Sequence, residues 1–313
     1  MLRRNAETGR AGIVEGAMAR IELRHPKNED GDWFVDTRCI DCGTCRDVAP
    51  HLFGAVAGQS VVRRQPDPAS SAETTDAWLA AQACPTTSIG TRSRRRRPGR
   101  LYPFEIEPGS GVFDCGYCSE DSFGASAWFV HRPAAEGGNL LIDSPRFTAA
   151  LADPMAEMGG IAHILLTHRD DVADAARYAA RFGARVWVHE DDRRAAPFAT
   201  DVLRGTAGTE IAPGLVALPV PGHTRGSVVY LLDDRYLFTG DSLAWSHDRA
   251  DLTAFRGACW YSWPAQADSL ERLAASGHRF AWVLPGHGAR AHGDPTELHD
   301  RLVGLVERMR RAA

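Results

Sequence analysis

The residues that could do chemistry in this 313-residue sequence fall into two separate sets. The first is thiol. Cys39, Cys42 and Cys45 form C-x2-C-x2-C in "CIDCGTC", and Cys84 stands far downstream with Pro85 after it. Three thiolates on one tight loop can hold three irons of a cubane, and a distant fourth closes the set. A four-thiolate zinc site is the alternative, but zinc usually takes two C-x2-C knuckles, so the third Cys at the same spacing favours iron and sulfur. In the two-cluster run C-x2-C-x2-C-x3-C-P the fourth Cys serves the other cluster. Here that position is Ala49, still followed by Pro50. One [4Fe-4S] cluster is expected, held by Cys39, Cys42, Cys45 and Cys84.

The second set is imidazole and carboxylate. "LLTHRDD", "VPGHTRGS", "YLFTGDS" and "VLPGHG" each place a His or Asp where an apolar run ends. Loops beyond strand ends are where layered folds build sites. Gly222, Gly240 and Gly286 directly precede His223, Asp241 and His287, which lets the chain turn sharply and leaves room beside the next side chain. The candidate metal ligands are His168, Asp170, His223, Asp241 and His287. His168 and Asp170, two apart on a segment leaving a strand, can face the same side. This donor set suits zinc, iron or manganese. Asp170 and Asp241 are also the candidates for orienting water or acting as base. Asp171 and Asp174 fit a capping role instead, as N-cap and N3 of the helix that follows.

The elements that must position these groups can be read from periodicity. "ASAWFVHR" and "NLLIDSP" read as paired strands, "IAHILLTH" as a buried one. "RVWVHE", "LVALPV", "SVVYLLD", "YLFTGD" and "AWVLPGH" are further short strands. "VADAARYAARFG" reads as a helix with Val172, Ala176, Ala179 and Phe182 on its apolar face and Gly183 at its end. "PAQADSLERLAASG" and "PTELHDRLVGLVERMRR" are amphipathic helices. Strands mixed with helices indicate a layered α/β domain.

The expected organisation is a flexible extension (1–20), a small cysteine-bearing domain (21–90), an Arg-rich linker (91–100) and the α/β domain (101–313). Five arginines in six positions of "TRSRRRRPGR" carry no interleaved aromatics, which favours an exposed linker over a nucleic-acid contact. A net charge of −4 and ordinary apolar (44%) and charged (24%) fractions fit a globular protein with no nucleic-acid or membrane partner. The start of the chain lacks an apolar signal core and no run is long enough to span a bilayer, so a cytoplasmic location is expected. Grouped cysteines in such a chain argue for metal ligation over disulfides. Cys115 and Cys118 of "CGYC" read as buried thiols, with a redox pair, a metal site or a relay as the other readings. Cys259, Trp260, Tyr261 and Trp263 read as core or pocket lining. His163 and His189 are expected in the core, and His25, His51, His131, His247, His278, His292 and His299 at the surface.

Residues 20–90 resemble single-cluster bacterial ferredoxins. With "THRDD", "GHTRGS", "TGDS" and "PGHG" in order, the chain from about 101 to 300 resembles the metallo-β-lactamase superfamily. That resemblance implies an αββα sandwich with metal at one edge of two sheets, preceded by a small α+β ferredoxin-like domain. The superfamily's first motif, H-x-H-x-D-H, is occupied here by His168, Asp170, Val172 and Ala173. A two-residue shift would bring Asp174 and Ala175 onto its last two positions. Either way the second metal loses ligands, so one zinc or iron ion is expected. His168, His223 and Asp241 are similar to the triad of members that oxidise persulfides, and Asp170 is similar in type to a carboxylate of members that reduce oxygen or nitric oxide. Three functions compete: metal-assisted hydrolysis of a small-molecule substrate, mononuclear iron redox chemistry fed by the cluster and a redox partner protein, and a non-catalytic iron–sulfur sensor or electron carrier.

Overall fold

The computed structural model describes residues 19–93, 95 and 98–311; most of the expected N-terminal extension and Arg94, Arg96 and Arg97 of the linker lie outside them. The first unit is built around the cysteines. Strand β1 (Trp33–Val35) leads to the cysteine turn and helix α1 (Thr44–Val48), and a hairpin follows, β2 (Phe53–Val56) and β3 (Gln59–Val62). Helix α2 (Ser71–Ala83) starts where the Ser70 hydroxyl accepts from the Glu73 N–H at 3.2 Å, a Ser-x-x-Glu start signal. Its last turn delivers Cys84, whose N–H still bonds the Ala80 carbonyl. Strand β4 (Ile89–Thr91) then returns antiparallel to β1. Trp33, Leu52, Phe53 and Trp78 fill a small core with Cys45 and Cys84 at its edge.

The remainder folds into two sheets. The first contains β5 (Phe104–Glu105), β6 (Val112–Asp114), β7 (Trp128–Val130), β8 (Leu140–Ile142), β9 (His163–Leu165), β10 (Arg185–His189) and β11 (Asp201–Leu203) in spatial sequence. It is antiparallel up to β8 and parallel from β8 to β11. Helices α3 (Ala149–Glu157) and α4 (Ala175–Phe182) are the crossovers that parallel pairing requires. The second sheet begins with β12 (Thr209–Ala212), β13 (Leu215–Pro219), β14 (Val228–Leu232) and β15 (Tyr236–Gly240). After a small ribbon, β16 (Ala244–Ser246) with β17 (Asp251–Thr253), and helix α5 (Trp263–Ala275), it closes with β18 (Trp282–Pro285), parallel to β15, and β19 (Ala291–His292). Helix α6 (Pro295–Arg311) ends the chain's described part.

Side chains of both sheets interdigitate in one apolar layer, with Phe238, Tyr230 and Leu284 against Trp128, Leu140 and Leu165. The outer face of the first sheet is covered by α3 and α4, that of the second by α5 and α6. The chain is therefore an αββα sandwich with a small N-terminal unit, and the paired strands and both C-terminal helices stand where the sequence put them. Helix α4 differs: it starts at Ala175, not Val172, because Ala173 takes a left-handed φ of 34°. Val172, Ala179 and Phe182 pack against the core as expected, joined by Ala175 and Tyr178, while Ala176 turns outward. Gly183, at φ 68°, ends the helix as expected. Among the described residues no helix is long and apolar enough to cross a membrane.

Candidate metal centre and cluster loop

His168 follows β9, His223 follows β13, Asp241 follows β15 and His287 follows β18, so four strand ends of two sheets meet at one edge. His168 Nε2, His223 Nε2 and a carboxylate oxygen of Asp241 lie within 4.8 Å of one another, all buried. The two imidazole rings stand at 90° with centroids 4.6 Å apart. Both Nε2 atoms and Asp241 Oδ1 are sealed from solvent without a hydrogen-bond partner. Leaving buried polar atoms unpaired costs about 1–3 kcal/mol each, and a cation shared by the two imidazoles and Asp241 Oδ2, which faces both, removes the two imidazole deficits at once. The residues present fit one metal ion.

The surroundings prepare His168 for that role. Thr167 donates its hydroxyl proton to Asp143 Oδ2 at 2.8 Å and its N–H to Asp143 Oδ1 at 2.7 Å. The Thr167 oxygen, 3.0 Å from His168 Nδ1, is left to accept, which puts the ring proton on Nδ1 and the free lone pair on Nε2. Burial also depresses the His168 pKa to about 4, keeping the ring neutral. Asp192 staples two ligand loops together: its Oδ2 accepts from the Arg169 N–H at 3.1 Å and from the Thr224 hydroxyl at 2.5 Å. The His223 carbonyl accepts from the N–H groups of Trp260 and Tyr261 at 2.9 and 3.0 Å.

The three glycines before ligands are required for different reasons. Gly240 takes φ 48°, and a Cβ there would stand 2.4 Å from Thr167 Oγ1. At Gly222 a Cβ would strike Gln266 at 2.2 Å. At Gly286 it would fill the space between Asp171 Oδ2 (2.7 Å) and Asp241 Oδ1 (2.8 Å).

Asp170 and His287 flank the triad. Asp170 Oδ2 is 3.3 Å from His223 Nε2 and 3.9 Å from His168 Nε2, and its side chain is half-exposed. The His223 imidazole beside it holds its carboxyl below the usual range. His287 Nε2 is 4.0 Å from Asp241 Oδ2. Asp171 does not cap the helix: it is buried, 4.0 Å from His168 Nδ1, with Oδ2 unpaired, and burial pushes its pKa well up. Asp174 occupies the N-cap position but accepts from the Phe147 N–H at 2.7 Å, pointing away from the triad. The shifted reading of the first motif is thus not the one that brings a carboxylate to the site; Asp171 is.

All seven cysteines are free. Cys39 Sγ accepts from the Ser60 N–H and Cys84 Sγ from the Ser88 N–H, each at 3.3 Å. Such N–H···S bonds stabilise cluster thiolates. Burial raises the pKa of Cys42, Cys45 and Cys84, a cost that iron ligation offsets by taking the thiolate. Among the described residues no three of these sulfurs lie within 4.8 Å of one another, wider than the ~3.8 Å that ~2.3 Å bonds to one tetrahedral zinc imply. Cys115 and Cys118 are fully buried in the first-sheet core, and burial lifts both pKa values far up, as inert thiols require.

The cluster loop and the triad open into one cleft of about 1610 Å³. Cys42 and Asp47 line it with Asp170, His223, Asp241 and His287. One expected surface histidine differs: His25 is buried, accepting from the Lys27 N–H, while His247 is exposed as expected and also lines this cleft. Trp260 and Tyr261, 60% and 50% exposed, are not core; Trp260 lines the cleft, while Cys259 donates its thiol to the Gly222 carbonyl. Sequence reasoning passed over Asp192, Asp47 and Phe123, and read Asp171 as a cap although its place beside "HRD" was a local signal.

Comparison with known proteins agrees with both halves. A family described as the 4Fe-4S single cluster domain of Ferredoxin I matches residues 35–91, and one described as the metallo-beta-lactamase superfamily matches residues 118–303. A hydroxyacylglutathione hydrolase of Fuscovulum blasticum is 33% identical over 195 residues, 55% of this chain and 71% of that protein. The one from Anaeromyxobacter dehalogenans is 42% identical over 124 residues, 38% of this chain and 47% of that protein. The crystal structure of DIM-1 metallo-beta-lactamase exposed to ceftazidime matches 65% of this chain and 95% of its own, with a TM-score of 0.50 at 18% identity, a likeness of fold. With the sandwich, the strand-end ligands and the match over residues 118–303 together, the chain belongs to the metallo-beta-lactamase superfamily and carries an N-terminal single-cluster ferredoxin-like domain.

Proposed function

We propose that the chain is a metal-dependent hydrolase of a small acyl substrate, with a thioester as the first class to test. The observation that carries this reading is the buried ligand set of His168, His223 and Asp241, in which both imidazole Nε2 atoms are unpartnered. The relatives named hydroxyacylglutathione hydrolase point to the thioester class. A zinc or iron ion bound by the trio supplies a Lewis acid and an acidified water. The residues do the rest. Asp170, ionised at the open side of the trio, accepts the proton of the attacking water at Oδ2. Asp241 holds the ligand set together, with one oxygen toward both imidazoles and the other toward Asp171. Hydrolysis adds water across the acyl–sulfur bond, and the departing thiolate recovers the proton from Asp170. The ferredoxin-like domain holds one [4Fe-4S] cluster through Cys39, Cys42, Cys45 and Cys84.

The test is turnover of a hydroxyacylglutathione by anaerobically purified, metal-loaded protein, with Asp170→Asn as control. Hydrolysis that falls at least ~100-fold in the variant supports the assignment. Absence of turnover in fully metal-loaded wild-type protein counts against it. A second reading, a mononuclear iron redox enzyme, is favoured by one observation: the Cys42 turn opens into the same cleft as the two-His, one-carboxylate set. Reduction of oxygen or nitric oxide, or oxidation of a persulfide by oxygen, in place of hydrolysis would establish it.

A further inference from the structure

The cleft over the triad is larger than the ~300–1,000 Å³ of ordinary ligand pockets, and two parts of the chain wall it. Phe123 and Trp260 come from the sandwich, and Cys42, Asp47 and Arg63 from the ferredoxin-like unit. The two are pinned together at the cysteine turn. Thr44 donates its hydroxyl to the Gly124 carbonyl at 2.7 Å, the Cys118 N–H bonds the Ala83 carbonyl at 3.1 Å, and a Cβ on Gly124 would stand 2.7 Å from Cys42 Cβ. Phe123, next to Gly124, takes φ 51°, is 53% exposed, and sets its ring 6.1 Å from that of His287. A bulky residue held in the left-handed region with its ring in water is costly unless the ring has something to contact.

The charges on this wall are sorted. Arg46 is paired with Asp41 at 2.6 Å, and the charges facing Asp47 are those of His247, Arg46 and His287. Arg63, just beyond β3 with its stem laid over Gly54, and Arg249 line the cleft with no side-chain partner among the described residues. Asp121 and Asp248 also line it, so selection rests on where the arginines stand and not on net charge.

We propose that the ferredoxin-like unit is one wall of the substrate site, where Arg63, with Arg249, receives the anionic end of an extended acyl substrate whose scissile bond lies at the triad. This rests on the hydrolase reading for the scissile bond, but not for the binding of the anion. Phe123 and Trp260 flank the path between the two ends.

The test uses holoprotein carrying cluster and metal. Two thioesters of one hydroxyacyl group are compared, the glutathione thioester and an uncharged N-acetylcysteamine thioester, and binding of glutathione is measured separately by calorimetry. Wild-type protein is expected to favour the anionic thioester. Arg63→Glu is expected to raise KM for it about tenfold, to lower the anionic-to-neutral ratio of kcat/KM by a similar factor, and to weaken glutathione binding about tenfold, with cluster absorbance retained. Arg63→Ala, the milder change, should give about threefold. An unchanged ratio and unchanged binding in both variants, or no glutathione binding by wild-type protein, would overturn the proposal. Glutathione binding that depends on Arg63, without hydrolysis of either thioester, would instead refute the hydrolase reading and leave the wall in place.

Discussion

The cysteine loop and the histidine cleft hold their ligands by opposite means. Three of the four thiols lie within seven consecutive residues, and a single helix end delivers the fourth. The triad draws one residue from the end of each of three strands, in both sheets, and needs Thr167, Asp192 and three glycines to hold it. A contiguous loop carries its geometry in spacing; a strand-end site carries it in packing. The first should tolerate changes elsewhere in the fold, and the second should not.

The largest expected contrast comes from removing a ligand on each side. His223→Ala should lose the non-cluster metal and at least ~10³-fold in kcat/KM while the reduced-cluster EPR signal stays. Cys45→Ser should do the reverse to the metals, abolishing the signal while elemental analysis still finds the sandwich metal. If either change empties both centres, the two are one cooperative unit and the contrast fails. Next in size is Thr167→Val, which frees the His168 tautomer; chelator competition should show a ~10–100-fold weaker metal affinity. Gly286→Ala forces a methyl between Asp171 and Asp241 and should cost about 1–3 kcal/mol in denaturant unfolding, with the cluster spectrum unchanged. Smallest is Cys118→Ala: a buried thiol that ligates nothing should leave the cluster EPR as it was, and a shifted signal would bring Cys118 into the cluster's surroundings.

What could be read from sequence follows the same division. The C-x2-C-x2-C spacing and the Ala49 exception are local facts, and they pointed to the kind of single-cluster domain that the family match over residues 35–91 describes. His168, His223 and Asp241 were legible because each sits at a strand end beside a recognisable turn. Asp171 was misread as a cap because the start of α4 depends on the left-handed turn at Ala173, which no residue preference announces. Asp192 became a staple, and Phe123, Asp47 and Arg63 came to the cleft, only because distant segments pack there. Such contacts leave no periodic mark. The Arg-rich stretch gave its composition but not its described ion pairs, Arg95 with Asp32 at 2.8 Å and Arg100 with Glu157 at 3.9 Å.

The central claim is that one chain holds two separate metal centres facing one cleft. Elemental analysis with EPR on anaerobically isolated protein tests it most directly, with His223→Ala measured alongside. The account predicts a [4Fe-4S] signal, about four irons in the cluster and about one further zinc or iron ion per chain, with only that further ion lost in the variant. Fewer than about three irons in fresh wild-type protein, or a variant that keeps its full metal content, would contradict it.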